Sequence, residues 1–417
     1  LAGTDNPQPA DSHRAGIRMT SHDPHACALV VAGASARAMA ASAARAGWLV
    51  HAADLFADLD LDSVAAAAVR VRPYPDALPA VVARFPPGPW LYCGAVENHP
   101  QVIEAISHDR PLAGCAPAVV TAVRDPAVLA AAVRTAGLGF PETRPDPAGV
   151  PQDGSWLTKP VRSAGGHGIS AWRADDSQPD QTSDRVWQRR VDGCSWSASY
   201  LVGAGRGRLI GVSRQLLGRR WCHARPFAFC GCVDIAPESL AAEIHDQLLR
   251  LGGVLVDPFG LVGLVGVDLV IDNQRRVHVI EVNPRPTASM ELIERATGLS
   301  LAAAHLEASG FRSPVVGPAW PRLGTWSKAV LFAPHDIEID DAVLASLRAA
   351  AGAPSAGWPL VADLPRASQT ISAGSPICTL FAHGDSPRRS LAALRRRMRG
   401  LSQPSAVPPG ADRHGTA

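Results

Sequence analysis

Two short segments of this chain carry residue types that could do chemistry together. The first is WLTKPVRSAGGHGIS, residues 156–170. An extended stretch delivers Lys159, and Ser163, Gly165, Gly166 and Gly168 follow in the next loop. Glycines let backbone N–H groups approach phosphate oxygens closely, and an ammonium adds a point charge. The loop is not a Walker loop, because the lysine precedes the glycines and no Gly-Lys-Ser/Thr follows. The same residues would equally build a tight hairpin with an incidental lysine. Composition weighs against that: of 40 basic residues, only Lys159 and Lys328 are lysines. A lysine kept against such an arginine bias points to a need for a compact ammonium in place of a planar guanidinium. His167, inside the loop, could touch a phosphate or face solvent.

The second segment is VGVDLVIDNQRRVHVIEVNPRP, residues 265–286. It reads as two strands joined by the turn Asp272-Asn273-Gln274. Antiparallel pairing could bring the carboxylates of Asp268 and Glu281 side by side, and Asn283 shares a strand face with Glu281. Two carboxylates and an amide oxygen among Val and Ile suit a hard divalent cation such as magnesium, with manganese as the alternative. The competing reading is a structural ion-pair cluster. Arg285 continues the alternation and could hold a phosphoryl group or an oxyanion. Glu291 and Glu294 follow on a helix. Glu291 is the candidate to orient or deprotonate a nucleophile, against the alternative of a helix-surface charge.

The elements around these segments suggest how they are positioned. Residues 27–32 (CALVVA) read as a buried strand, then a turn, an Ala-rich helix to Gly47 and a second strand ending at Asp54. This βαβ opening implies a parallel sheet. Its turn, GASARA, has one glycine and does not meet the dinucleotide fingerprint. Asp125 and Pro126 read as the cap and first residue of a helix that ends at Gly137. Residues 237–251 form an amphipathic pattern. Beyond 311 come short strands, the turn-rich ADLPRASQTISAGSPICTLFA, and an Arg-rich helix over 388–400.

The whole chain narrows the classes. With 47% hydrophobic and 19% charged residues, its 417 residues suit several folded units. A formal net charge of +2 is too small to imply a nucleic-acid or membrane surface. The longest apolar candidate for a membrane span, 251–271, is broken by Asp257, Pro258 and Asp268. Eight scattered cysteines suggest reduced thiols and a cytoplasmic setting. Cys222, His223, Cys230 and Cys232 fall close together, but their spacing matches no standard zinc site.

Together the KPVRSAGGHGI loop, the opening GASARAMAASAARAGWLVHAADLFAD and the run EVNPRPTASMELIERATG resemble the ATP-grasp superfamily. The nearer resemblance is to ATP-dependent carboligases related to biotin carboxylase. It implies an α/β and α+β protein: an N-terminal Rossmann-like (preATP-grasp) substrate domain over 25–120 and an ATP-grasp domain over 121–310. The latter divides into a glycine-loop lobe (about 150–200) and a metal-binding lobe (about 201–310), two α+β lobes clamping ATP. A small β-rich closing lobe would span 311–400, with disordered ends at 1–24 and 401–417.

By the same resemblance Lys159 would contact ATP phosphates, with Ser163, Gly165, Gly166, His167 and Gly168 covering them. The strand WQRRVDGCSWSASYL would be the hinge, with Gln188, Arg189, Arg190 and Val191 meeting adenine through backbone groups. Asp268, Glu281 and Asn283 would hold magnesium, with Arg285 at the reacting centre. The implied activity is carboxylate–amine ligation of small molecules through an acyl phosphate, with a homodimer as one possible assembly. Glutamate addition to a one-carbon cofactor is one form; bicarbonate-dependent carboxylation and a non-catalytic nucleotide sensor are the alternatives. Two departures stand out. The family's further lysine upstream of the glycine loop is missing, leaving Arg124 or Arg144 to replace it, and Arg189 stands where the hinge is commonly acidic. No biotin-carrier motif is present.

Overall fold

The computed structural model describes residues 28–174, 184–314, 322–351, 355 and 357–401. The disordered ends expected over 1–24 and 401–417 fall outside this range, apart from Leu401, which closes the last helix.

Four parallel strands open the chain: β1 (Ala28–Gly33), β2 (Leu49–Asp54), β3 (Ala67–Arg70) and β4 (Trp90–Cys93). Their order is β3-β2-β1-β4, so the connections change direction between β1 and β4. β1 and β4 are almost wholly buried, which is why they read as continuous apolar runs. Gly33 is required where they end. A Cβ there would lie 2.0 Å from the Cys93 carbonyl oxygen. Asp54, closing β2, accepts the N–H groups of Ala36, Phe56 and Ala57, which pins the turn into the helix Arg37–Arg45.

A second four-stranded sheet, order β5-β8-β6-β7, contains β5 (Thr143–Arg144), β6 (Asp153–Pro160), β7 (Ser170–Arg173) and β8 (Arg185–Arg189). β6 and β7 are an antiparallel pair, so the glycine segment is the loop of a hairpin. The helix Pro126–Thr135 leads into this sheet, and Asp125 Oδ1 caps it by accepting from Ala127 N at 2.8 Å and Val128 N at 3.1 Å.

The largest sheet has eight strands. It comprises β9 (Cys194–Gly203), β10 (Arg206–Leu217), β11 (Phe229–Ile235), β12 (Gly263–Ile271) and β13 (Val277–Asn283), and later β14 (Thr325–Phe332), β16 (Val361–Ala362) and β18 (Pro376–Gly384). β15 (Ile337–Ile339) and β17 (Gln369–Ile371) pair separately. One expectation changes here. The hinge run is two strands, since β8 stops at Arg189 and β9 begins at Cys194. At Gly193 a Cβ would meet the Ile271 carbonyl oxygen at 2.4 Å. Of the C-terminal strands, β14 pairs with β11 and so joins the eight-stranded sheet, while β15 and β17 stay apart from it. The Arg-rich helix, Pro387–Leu401, packs Leu394 and Met398 into the core beneath it.

Candidate functional site

The glycine loop, β8 and the β12–β13 pair face one another across a cleft of about 690 Å³. Lys159, at the end of β6, projects into it and donates from Nζ to Gln188 Oε1 at 3.2 Å. Burial lowers its pKa, while the negative charge of Glu281 and Asp268 works the other way. Gln188 is itself held, donating from Nε2 to Thr143 Oγ1 at 3.2 Å. Ser163, Gly165 and Gly166 line the cleft; His167 and Gly168 do not, and His167 faces solvent. Gly165, Gly166 and Gly168 all have positive φ, and a Cβ on Gly166 would come within 2.2 Å of the Phe227 carbonyl oxygen. The loop needs glycine to seat against the 225–229 turn, where Phe229 N donates to Gly165 O at 2.9 Å.

Asp268 and Glu281 stand directly opposite each other on β12 and β13. A β-bulge puts them there. Leu269 pairs with Val279 but Asp268 with Glu281, so Ile280 is the extra residue that shifts the register by one. Without it Asp268 would face the apolar Ile280. Burial, and then the neighbouring Glu281, push the Asp268 carboxyl up to about 6. The two carboxylates form an oxygen donor set of the kind a divalent cation takes. Asn283 is placed beside it, donating from Nδ2 to Asp268 Oδ2 at 3.2 Å and accepting at Oδ1 from Arg285 Nη2 at 3.3 Å. Its amide would have to turn over to join the carboxylates as an oxygen donor.

Arg285 lines the cleft with a fixed guanidinium. Nη2 lies 2.6 Å from Glu97 Oε1, and Nη1 donates to the Pro286 carbonyl at 3.1 Å. Burial alone would lower the Arg285 pKa, but Glu97 raises it above the ordinary value; reciprocally, Arg285 outweighs burial and holds the Glu97 carboxyl low. Of the two arginines considered for the missing upstream lysine, Arg124 is the one at the cleft. It lines the cleft, with Nη1 3.0 Å from Glu281 Oε1. Arg144 lies outside it, bonded to Glu142 and over the Trp156 ring.

Two expected roles change. Glu291 is not in the cleft. It is buried on the helix Met290–Thr297 among three cations: Arg37 (2.8 and 3.0 Å), Arg295 (3.0 Å) and Lys328 (3.0 Å). Burial would raise its pKa, but those charges hold it well below the usual carboxylate range. This also accounts for the second lysine of the chain. At the hinge, Arg189, Arg190 and Val191 line the cleft beside Gln188. The N–H groups of Arg189 and Arg190 already donate to Glu142 and Ser155, so neither amide is free for a ligand. Cys222, Cys230 and Cys232 are buried, and the Cys230 thiol donates to the Leu216 carbonyl at 3.1 Å.

Three site residues escaped sequence reasoning. Gln215 on β10 donates to Asp268 Oδ1 at 2.7 Å. Glu97 and Asn98 sit just past the carboxyl end of β4, where the parallel sheet reverses its connections. That is the crevice in which such sheets bind ligands, so two polar residues four and five positions after the buried run WLYC were a usable signal.

This geometry agrees with the comparisons. Residues 124–289 match the family model of the ATP-grasp domain, so the chain carries an ATP-grasp domain. The fold is similar to that of N5-carboxyaminoimidazole ribonucleotide synthetase in its ADP complex, with a TM-score of 0.66 and 13% identity over 91% of this chain and 98% of that one. It is similar too to an L-amino acid ligase from Bacillus licheniformis, with a TM-score of 0.64 and 15% identity over 90% and 97% of the two chains. In sequence, 101 residues are 39% identical to the carbamoyl phosphate synthase large chain of Neisseria gonorrhoeae. That match takes in 24% of this chain and 9% of the relative's length.

Proposed function

We propose that this protein is an ATP- and magnesium-dependent ligase that activates a small-molecule carboxylate as an acyl phosphate and joins it to an amine. One observation carries the reading. Lys159, the glycine loop, the opposed Asp268–Glu281 pair and Arg285 converge on a single cleft inside the ATP-grasp segment. Lys159 and Arg124 offer positive charge to the phosphates, and Ser163, Gly165 and Gly166 close over them. Asp268 and Glu281 would hold the cation, which when bound neutralises phosphate charge. Arg285, braced by Glu97, presents its guanidinium to the reacting carbon and stabilises the oxyanion that forms when the amine attacks. Seating of the glycine loop against Phe227 keeps water from the acyl phosphate.

A second reading, with bicarbonate as the activated carboxylate, is suggested by the fold's likeness to a biotin carboxylase domain of 2-oxoglutarate carboxylase solved in complex with bicarbonate. ADP release would be measured with a panel of carboxylates and amines in bicarbonate-free buffer, then with bicarbonate added. Release that needs both a carboxylate and an amine supports ligation. Release with bicarbonate in place of the other carboxylates moves the reading to carboxylation. Magnesium-dependent ATP binding without turnover under any condition would leave a nucleotide sensor.

A further inference from the structure

The turn after β4 belongs to the first sheet, yet two of its side chains reach residues that line the cleft. Ala95 takes positive φ (69°), starting a short turn of helix over Val96–Asn98. This aims Glu97 at Arg285 and Asn98 at the glycine loop. Asn98 is buried, with 6% of its surface exposed. It accepts from Arg124 Nη2 at Oδ1, 2.8 Å away, and donates from Nδ2 to the Ser163 carbonyl at 3.2 Å. The orientation of the amide is set by its partners: a guanidinium can only donate and a carbonyl can only accept. Arg124 in turn reaches Glu281. One side chain therefore joins the glycine loop, the cleft arginine and, through it, the carboxylate pair.

The geometry points to Asn98 as a positioning residue that holds the glycine loop closed from the first sheet. On the opposite side, the loop is held by Phe229 N–H on the Gly165 carbonyl and by the fit of Gly166 to Phe227. Two supports on opposite sides are what a loop of three left-handed glycines needs, because glycine otherwise keeps its conformational freedom. Asn98 touches the loop only through a backbone carbonyl, so its support is independent of the loop's side chains. It also couples loop closure to the position of Arg124. The consequence for ligation rests on the function proposed above; the contact itself does not.

The test is amide hydrogen exchange over 163–168 in the full chain, with and without MgATP, alongside calorimetric titration of MgATP. Asn98→Ala removes both bonds. Asn98→Asp keeps an acceptor for Arg124 but loses the donor to Ser163. We expect faster loop exchange in both variants, even without nucleotide. MgATP should bind about tenfold more weakly to Asn98→Ala, as loss of ~1.4 kcal/mol implies, and Asn98→Asp should lose less. A general structural role would not separate the two variants in this way. Loop exchange equal to wild type in both variants overturns the inference. If Asn98→Ala fails to fold, the near-isosteric Asn98→Asp decides alone through loop exchange. Failure of the wild type to bind MgATP would sink the proposed function, while exchange without nucleotide would still decide the role of Asn98.

Discussion

Glu291→Gln separates a charge that holds the fold from one that does chemistry. The native carboxylate is 7% exposed and lies within 3.0 Å of Arg37, Arg295 and Lys328. Glutamine keeps the shape and removes the charge. Arg37 would retain Asp363 at 2.8 Å and Asp60 at 3.5 Å, so the loss falls mainly on Arg295 and Lys328, whose side chains are 1% and 5% exposed. Each keeps one backbone carbonyl, Pro359 and Ala288 respectively, but loses its counter-ion. Removing one partner of a buried ion pair costs about 3–5 kcal/mol. At about 2 °C per kcal/mol for a large chain, the melting temperature should fall by about 6–10 °C. The sign with pH follows from the depressed carboxyl. Its stabilisation is complete above the ordinary value near pH ~4.3 and disappears as pH falls through the lower folded value. The gap between wild type and variant in thermal melts should therefore narrow in acid. MgATP titration should give nearly equal affinities once both proteins are folded. An unchanged melting temperature with turnover lost would refute this reasoning and return Glu291 to the role of a base.

The cleft yields three further expectations. Lys159→Arg keeps the charge, but the planar guanidinium misfits a site built around a single ammonium beside Gln188; MgATP affinity and turnover should both fall, measured by calorimetry and ADP release. Glu281→Gln should abolish the magnesium dependence of nucleotide binding without unfolding the chain, read by titrating ATP with magnesium and with a chelator; retained dependence would remove the pair as the cation site. Arg285→Lys should lower kcat by about 10²-fold with little change in ATP binding, since an oxyanion donor acts mainly in the transition state. Weaker ATP binding at unchanged kcat would make Arg285 a ground-state phosphate clamp.

What could be read in advance, and what could not, divides along physical lines. Lys159, the glycines, Asp268 and Glu281 were legible because each breaks a local rule: a lysine in an arginine-rich chain, consecutive glycines after a strand, carboxylates inside apolar strands. Such exceptions mark function wherever a chain is otherwise consistent with its fold. Antiparallel pairing suggested that Asp268 and Glu281 meet, but the register that sets them directly opposite was not legible. It depends on one extra residue at Ile280, and a bulge leaves no trace in the alternation of a seven-residue strand. Glu291 misled for a related reason. A glutamate three residues from Ala288 in the cleft wall looks available until the fold brings up Arg37, from 254 residues earlier, and Lys328, from 37 later. Arg285 shows both sides. Its aim followed from strand alternation past Asn283, but its brace, Glu97, comes from a different sheet. Alternation can say where a side chain points. Whether it is held there depends on partners distant in sequence, and a guanidinium must be held to act as a preorganised donor. The reactive groups are thus written locally, whereas the residues that position them are set by the packing of one sheet on another.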